Sequence, residues 1–296
     1  MTQVTHYQGI SDLVCPLAEE GESRSPIEVI QNATLSVANG KVVFAGKQED
    51  AAIAEGDSVV DLGGRAVLPG LIDSHTHIVF AGDRMDEMAR RARGETYEEI
   101  AKAGGGIVRS VEALRHTAFE DIVEQSQKRL HHMLSRGTTT IEIKTGYGLE
   151  PELENIQLDV IDTLREQAAG NTIFATALAH VVPIHRRGNR QEYIDEFCRE
   201  VLEPAAQQKR VQFCDVFVES GAYTPAECIY ICEKAKELGL QIKLHVDQLH
   251  EAGGAALAAG LGALSADHLE MTSAEGRKAL ADAGTIATIL PGCGLF

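Results

Sequence analysis

From about residue 66 onward, short apolar and β-branched segments alternate with longer amphipathic ones, and this alternation most strongly constrains the fold. Residues 138–144 are β-branched and typical of a strand, whereas 119–136 carry apolar residues at helical spacing and end before Gly137. Strands that alternate with helices predict a parallel sheet. The seven predicted strands lie at about 67–77, 138–144, 172–182, 211–219, 241–246, 264–269 and 285–290. The helices between them lie at 119–136, 153–168, 190–208, 225–238, 251–261 and 273–283.

A barrel explains this alternation better than an open doubly wound sheet, because no glycine-rich phosphate-binding motif follows the first strand. We therefore predict an α/β fold, a (β/α)8 TIM barrel with seven strands present and the eighth missing, over residues 66–296. We predict that residues 1–65 form a small N-terminal β-sandwich segment whose C-terminal part is absent. Asn39-Gly40 predicts a hairpin within it, and Gly63-Gly64 predicts another turn.

Two histidines stand one residue apart at the end of the first predicted strand. Alternate side chains of a strand point to the same side, so His75 and His77 can both face one metal ion. Imidazole suits zinc, iron, nickel or copper. A strand end that carries two histidines by chance is the alternative. The preceding apolar run at 67–72 counts against it, because it predicts a buried strand, where barrel enzymes place their chemistry.

Further chemically capable residues follow the ends of later strands, where a barrel carries its active site. They are Lys144, Tyr147, His180, Glu219, His245, Asp247, Gln248, Asp267 and His268. His180 alone would be unremarkable. Five histidines at the ends of four strands are harder to attribute to chance, since the chain has 11 in all. We interpret Asp247 and Asp267, which neighbour two of these histidines, as hydrogen-bond partners of metal-binding side chains rather than as ligands themselves.

The paired histidines on the first strand, His245 on the fifth and His268 on the sixth resemble the metal-binding pattern of the amidohydrolase superfamily. Five segments more specifically resemble the imidazolonepropionase family, and they lie at 73–84, 104–107, 142–149, 243–249 and 265–270. The segments that contain Arg84 and Tyr147 are specific to that family rather than to the superfamily. The resemblance extends over about residues 66–291.

The resemblance implies hydrolysis of the cyclic amide of 4-imidazolone-5-propanoate to N-formimidoyl-L-glutamate in histidine degradation. It implies one Zn²⁺ or Fe³⁺ per subunit and a homodimer. The implied site comprises the metal ligands His75, His77 and His245, the substrate contacts Arg84, Tyr147, His180 and Gln248, and the catalytic groups His268 and Gln248. Lys144 is interpreted as a surface or rim lysine rather than a carbamate bridge, and Gly104–Gly106 as a mobile loop near the site.

Other interpretations remain open at this point. The chain could be another cyclic amidohydrolase, a nucleobase aminohydrolase, or a truncated non-catalytic paralogue that binds metal. The sequence stops just after the seventh predicted strand, so we expect a fragment that lacks the aspartate following strand eight, with low stability and little turnover.

Composition restricts the partners. The formal net charge of −17 argues against nucleic acid and anionic membrane, and the sequence has neither a long apolar run nor a signal-peptide pattern. The six cysteines form no C-x-x-C pair, which suits a reducing compartment. We therefore expect a cytoplasmic protein that acts on a small molecule.

Overall fold

The computed structural model describes residues 3–16, 27–96, 99–100, 103–168 and 170–294. The chain divides into two units, Met1–Gly70 and Leu71–Phe296. In the described part of the chain, no helix has both the length and the apolar character that a membrane crossing requires.

The described residues of the first unit form one four-stranded sheet in the order β3-β2-β1-β4. Its strands are β1 (Val4–Pro16), β2 (Ile27–Ala38), β3 (Lys41–Lys47) and β4 (Ser58–Val67), and a short 3₁₀ turn (Gln48–Asp50) follows β3. The hairpin prediction is confirmed: Val37 pairs with Val42, and Asn39 and Gly40 have φ values of 51° and 72°. The second turn prediction is wrong. Gly63 and Gly64 have positive φ values but lie inside β4, where the pairing with β1 shifts register, so they form an irregularity in the strand rather than a turn.

The second unit contains seven parallel strands in sequential order, which confirms the predicted number and direction. They are β5 (Leu71–Thr76), β6 (Thr138–Lys144), β7 (Thr172–Ala179), β8 (Phe213–Val218), β9 (Gln241–Val246), β10 (Ser265–His268) and β11 (Ile286–Thr288). Together they form a nearly closed barrel. The helices are α1 (Met85–Ala92), α2 (Ile107–Arg115), α3 (Phe119–Ser135), α4 (Pro151–Gln167), α5 (Arg190–Phe197), α6 (Glu203–Gln207), α7 (Pro225–Glu237), α8 (Gly254–Gly260), α9 (Ala274–Ala283) and α10 (Pro291–Gly294), with a 3₁₀ turn at Ile184–Asn189.

The first barrel strand differs from the prediction. Val67 ends β4, and β5 begins only at Leu71, after Pro69-Gly70. Leu71 and Ile72 are 55% and 72% exposed, so the expected burial is wrong. The reason is topological, because β5 lies at an edge of the sheet and, among the described strands, pairs with β6 alone. The connection that follows it also forms α1 and α2, which were not predicted.

The helix predicted at 190–208 is interrupted by a π turn at Cys198–Leu202 between α5 and α6. Pro204 explains the interruption, because it has no N–H to donate to the carbonyl four residues earlier. That carbonyl, Glu200 O, instead accepts a hydrogen bond from Asn155 Nδ2 at 3.1 Å. The helix is thereby fixed against α4.

Along the barrel strands, side chains alternate between an apolar environment and a polar one, and both are buried. One set is apolar, with Ile141, Ile143, Val216 and Leu244 in the large hydrophobic core. The intervening positions are polar and equally buried, and they include Glu142, Lys144, Asp215, Lys243, His245 and Asp267. Since successive side chains of a strand point to opposite faces, the polar set shares the barrel interior. The polar side chains of separate strands therefore meet inside the barrel.

Candidate metal centre and adjoining cavity

Three histidines from two strands converge at the ends of β5 and β9. The ring centroid of His245 lies 4.5 Å from that of His75 and 5.7 Å from that of His77, and His75 and His77 are 5.3 Å apart. One ligand atom from each of the three lies within 4.8 Å of the others. Of all histidine, cysteine and carboxylate side chains in the described part of the chain, these three form the group whose spacing suits a metal ion.

The chemical state of these imidazoles also fits a metal ion. His77 Nδ1 and His245 Nε2 are buried and have no hydrogen-bond partner, although buried polar atoms are normally paired. Burial, with the neighbouring histidines, holds the pKa of His77 well below its usual value, and burial lowers the pKa of His245 to about 3 although Asp215 opposes the shift. Both rings are therefore neutral at pH 7, which is the form that ligates a metal.

His268 ends β10 and borders the same group. Its ring centroid lies 5.3 Å from that of His75 and 5.2 Å from that of His245. Its Nδ1 lies 3.5 Å from Glu270 Oε1, and burial lowers its pKa. The φ angles of His268 and Leu269 are 80° and 69°, which non-glycine residues rarely adopt. This backbone turn places the imidazole beside the three predicted ligands.

Tyr147 and His180 form the next wall of the site. The Tyr147 ring lies 5.5 Å from that of His77 and 5.8 Å from that of His180. His180 Nδ1 lies 3.0 Å from Gly146 O, so it donates to this carbonyl. Burial lowers the pKa of His180 to about 4. A neutral His180 therefore presents Nε2 beside Tyr147.

Two buried residues of α4, which sequence reasoning missed, hold the loop that carries Tyr147. Gln157 Oε1 accepts from the backbone N–H groups of residues 146, 147 and 148 at 3.1, 3.0 and 3.0 Å. Glu154 accepts from those of 146, 148 and 149 at 2.9, 2.8 and 2.7 Å. Gln157 Nε2 also donates to Val79 O at 2.7 Å, which joins this loop to the segment after β5. Polar residues three positions apart are common on helices, so the sequence does not predict that Glu154 and Gln157 hold this loop.

The predicted substrate-binding arginine lies at a cavity of about 420 Å³ beside this wall. Its lining includes Phe80, Arg84, Glu87, Arg91, Arg109 and Tyr147. Arg84 Nε and Nη2 lie 2.9 and 2.8 Å from Glu87 Oε2, so one edge of its guanidinium pairs with a buried carboxylate. Glu87 Oε1 in turn accepts from Gly106 N at 2.9 Å. Arg84 and Tyr147 thus line one cavity, and Gly106 is bonded to a third residue of its lining.

Gln248 is the predicted site residue for which the described contacts give least support. It is partly buried in the bend after β9, and no described hydrogen bond joins its side chain to the histidines. The bend itself is held by Glu219, which accepts from Leu249 N at 2.9 Å and His250 N at 3.3 Å. The role of Gln248 therefore stays a prediction.

The interpretations of the acidic neighbours have mixed outcomes. That of Asp267 is confirmed, because this carboxylate accepts from Nδ1 of the predicted ligand His75 at 2.6 Å. The interpretation of Asp247 is wrong. It accepts from Gly254 N at 2.9 Å and Ala255 N at 3.0 Å, because its positive φ turns its side chain to the start of α8.

The interpretation of Lys144 as a surface or rim residue is also wrong. The residue is fully buried, and its Nζ lies 2.7 Å from Glu142 Oε1 and 2.8 Å from Asp215 Oδ2. Burial by itself lowers the pKa of Lys144, but the carboxylates of Asp215, Glu142 and Asp267 raise it above its usual value. Lys144 is therefore a cation inside the barrel.

Comparison with known proteins shows the family of this chain. The model of the Amidohydrolase family matches residues 66–293. The imidazolonepropionase of Clostridium tetani is 44% identical over 274 residues, 92% of this chain and 65% of that protein. That of Bradyrhizobium sp. (strain BTAi1) is 43% identical over 282 residues, 95% of this chain and 70% of that protein. The chain thus spans about two thirds of the length of these relatives.

Solved structures resemble the fold at much lower identity. Atrazine chlorohydrolase from Arthrobacter aurescens TC1, complexed with zinc, has a TM-score of 0.64 at 16% identity, over 97% of this chain and 65% of that one. Guanine deaminase from C. acetobutylicum has a TM-score of 0.61 at 13% identity, over 98% of this chain and 68% of that one. At such identities the likeness shows the barrel fold alone.

Proposed function

Because the chain belongs to the amidohydrolase family, and within it to the imidazolonepropionases, we propose that it hydrolyses the cyclic amide of 4-imidazolone-5-propanoate to N-formimidoyl-L-glutamate. The convergence of His75, His77 and His245 beside an arginine-lined cavity is the observation that carries this proposal. A metal-ligating group supports hydrolysis, and a cationic cavity supports a substrate with a carboxylate.

In this proposal, ring nitrogens of His75, His77 and His245 would hold one Zn²⁺ or Fe³⁺ per subunit. When bound, such an ion lowers the pKa of water towards neutrality and polarises a carbonyl oxygen. Unpaired nitrogens on His77 and His245 support the ligand assignment. The family is metal-dependent, and the choice between zinc and iron is part of the proposal.

The other side chains bind the substrate and move protons. Arg84 binds the propionate through the guanidinium edge that Glu87 leaves unused. Tyr147, His180 and Gln248 contact the ring. His268 Nε2, the nitrogen that does not face Glu270, takes a proton from the attacking water. The protonated ring then stabilises the negative charge that develops on the carbonyl oxygen and passes the same proton to the departing ring nitrogen.

The proposal extends to assembly and location. We propose a homodimer in the cytoplasm, with a small molecule as the partner and neither nucleic acid nor membrane. Sedimentation at several protein concentrations tests the assembly, and a monomer at all of them would contradict it.

Purified protein provides the test of the reaction. Its zinc and iron contents are measured, and each metal form is mixed with imidazolone propionate while the ultraviolet absorbance of the ring is followed. We expect slow, metal-dependent loss of this absorbance and formation of formimidoyl glutamate. Turnover of dihydroorotate or guanine instead would support another amidohydrolase. Stoichiometric metal without turnover of any of the three would support a non-catalytic metal-binding protein.

A further inference from the structure

A cluster of five charged residues lies in the barrel interior, next to the predicted metal ligands. Each residue is at most 4% exposed, and the cluster comprises Glu142, Lys144, Asp215, Lys243 and Asp267. Charged residues are almost never so fully buried unless they are paired. The ion pairs within this cluster therefore indicate the role of each charged residue.

Lys144 bridges the two aspartates that approach the histidines. Its Nζ lies 2.8 Å from Asp215 Oδ2 and 3.4 Å from Asp267 Oδ2. The same Asp267 oxygen forms a hydrogen bond of 2.6 Å with His75 Nδ1. The same Asp215 oxygen lies 2.9 Å from His245 Nδ1, which is an ion-pair distance, although the angle is not that of a hydrogen bond. One ammonium group thus joins two aspartate–histidine pairs from four different strands.

The remaining aspartate oxygens are also occupied, which fixes the rotation of each carboxylate. Asp215 Oδ1 accepts from His245 N at 3.2 Å. Asp267 Oδ1 accepts from Ser265 Oγ at 2.7 Å. Each Oδ2 is therefore directed at both the ammonium group and an imidazole.

We propose that Lys144 is a positioning residue for metal binding, which holds the Asp215 and Asp267 carboxylates so that His245 and His75 present Nε2 to the ion. This inference rests on the proposed metal site. A carboxylate that accepts from Nδ1 sets the tautomer and the orientation of a ligating imidazole. Two carboxylates this close to one another repel, and the cation between them keeps both in place. The three carboxylates around Nζ also disfavour a carbamate, which would place a fourth anion among them.

Lys243 offers a matched control from the same cluster. It is 4% exposed, and its Nζ contacts Glu142 Oε2 and Ser74 O, the latter at 3.1 Å. Within the described contacts it reaches neither Asp215 nor Asp267. Replacing Lys243 therefore removes a buried cation without removing the bridge between the aspartates.

The first test compares the zinc affinities of Lys144→Met, Lys243→Met and the unmodified protein, measured by competition with a chelator. Circular dichroism of the metal-free proteins checks their folding. We expect zinc affinity to fall roughly 10- to 100-fold in Lys144→Met and by much less in Lys243→Met. Equal affinities in Lys144→Met and the unmodified protein, or equal losses in both variants, would overturn the inference. Absence of zinc binding by the unmodified protein would instead refute the proposed metal site.

The second test uses nitrogen NMR of the imidazoles in the metal-free protein, and its first readout, on the unmodified protein, does not depend on a variant folding. We expect His75 and His245 to carry their proton on Nδ1 in the unmodified protein. In Lys144→Met the two rings become mixtures of tautomers, and in Lys243→Met they do not. Predominant Nε2–H tautomers in the unmodified protein would overturn the inference.

Discussion

Replacing Gln157 by leucine removes the four hydrogen bonds that this one buried side chain makes. Its Oε1 accepts from the backbone N–H groups of residues 146, 147 and 148, and its Nε2 donates to Val79 O at 2.7 Å. Leucine has nearly the same volume but neither donor nor acceptor. The substitution therefore tests the hydrogen bonds with little change in packing.

The size of the effect follows from these contacts. A hydrogen bond contributes roughly 0.5–1.5 kcal/mol to stability, so four would contribute about 2–6 kcal/mol. Glu154 still accepts from Gly146 N and Gly148 N in the variant, which reduces the loss. We therefore expect the free energy of unfolding to fall by about 2–4 kcal/mol.

Urea denaturation followed by circular dichroism measures this change, and Gln167→Leu is the control. Gln167 lies on the same helix but is exposed, and its side chain bonds only that of Gln127 at the surface. We expect the control to change the free energy of unfolding by no more than about 0.5 kcal/mol. A loss below about 1 kcal/mol in Gln157→Leu, with an unchanged dependence on urea, would refute the view that Gln157 organises the Tyr147 loop.

Three further predictions concern the arginine, a histidine and a glycine of the site. Arg84→Met should raise KM for imidazolone propionate roughly 10- to 150-fold, because about 1.5–3 kcal/mol of charge-assisted hydrogen bonding is lost. Arg115→Met, at an exposed arginine, is the control and should leave KM nearly unchanged. His180 has a pKa of about 4 in the folded chain and about 6.5 when unfolded, so the unfolded chain binds more protons and stability falls between pH 6.5 and 4. In metal-free protein, His180→Gln should make the free energy of unfolding fall by roughly 1–3 kcal/mol less between pH 6.5 and pH 4, as measured by urea titration at the two pH values. An unchanged pH dependence of this free energy would contradict the assignment of the lowered pKa to His180. Gly148→Ala should cost about 1–3 kcal/mol of unfolding free energy, because its Cβ would lie 2.4 Å from Glu154 N, whereas Gly188→Ala, with open space around the added atom, should be close to neutral.

Much of the barrel was predictable because its strands and helices carry distinct periodicities. The helix before Gly137 ends where the sequence indicates, and Gly137 has a φ of 95°. The histidines were predictable for a related reason. In a parallel barrel, all strands end at the same face, so polar residues at strand ends meet there.

The supporting residues were not predictable, since their contacts depend on strand register and on helix placement. Lys144 ends a strand like many exposed lysines. The pairing of β6 with β7 and of β7 with β8 brings Asp215 near it, and the further pairing through β9 to β10 brings Asp267 near it. The pairing of Asp267 with His75 joins strands that are not neighbours in the sheet. No pattern within one segment carries that information.

The hydrogen bond between His75 and Asp267 also determines when the site can form during folding. Its two residues are 192 positions apart, and the contact between Lys243 and Ser74 O spans 169. Contacts at such separations close long loops, which disfavours their formation before most of the intervening chain is ordered. An ion that binds only the folded chain stabilises it by mass action. Metal affinity in this protein therefore reports whether the first and last parts of the barrel have met, rather than the order of any local segment.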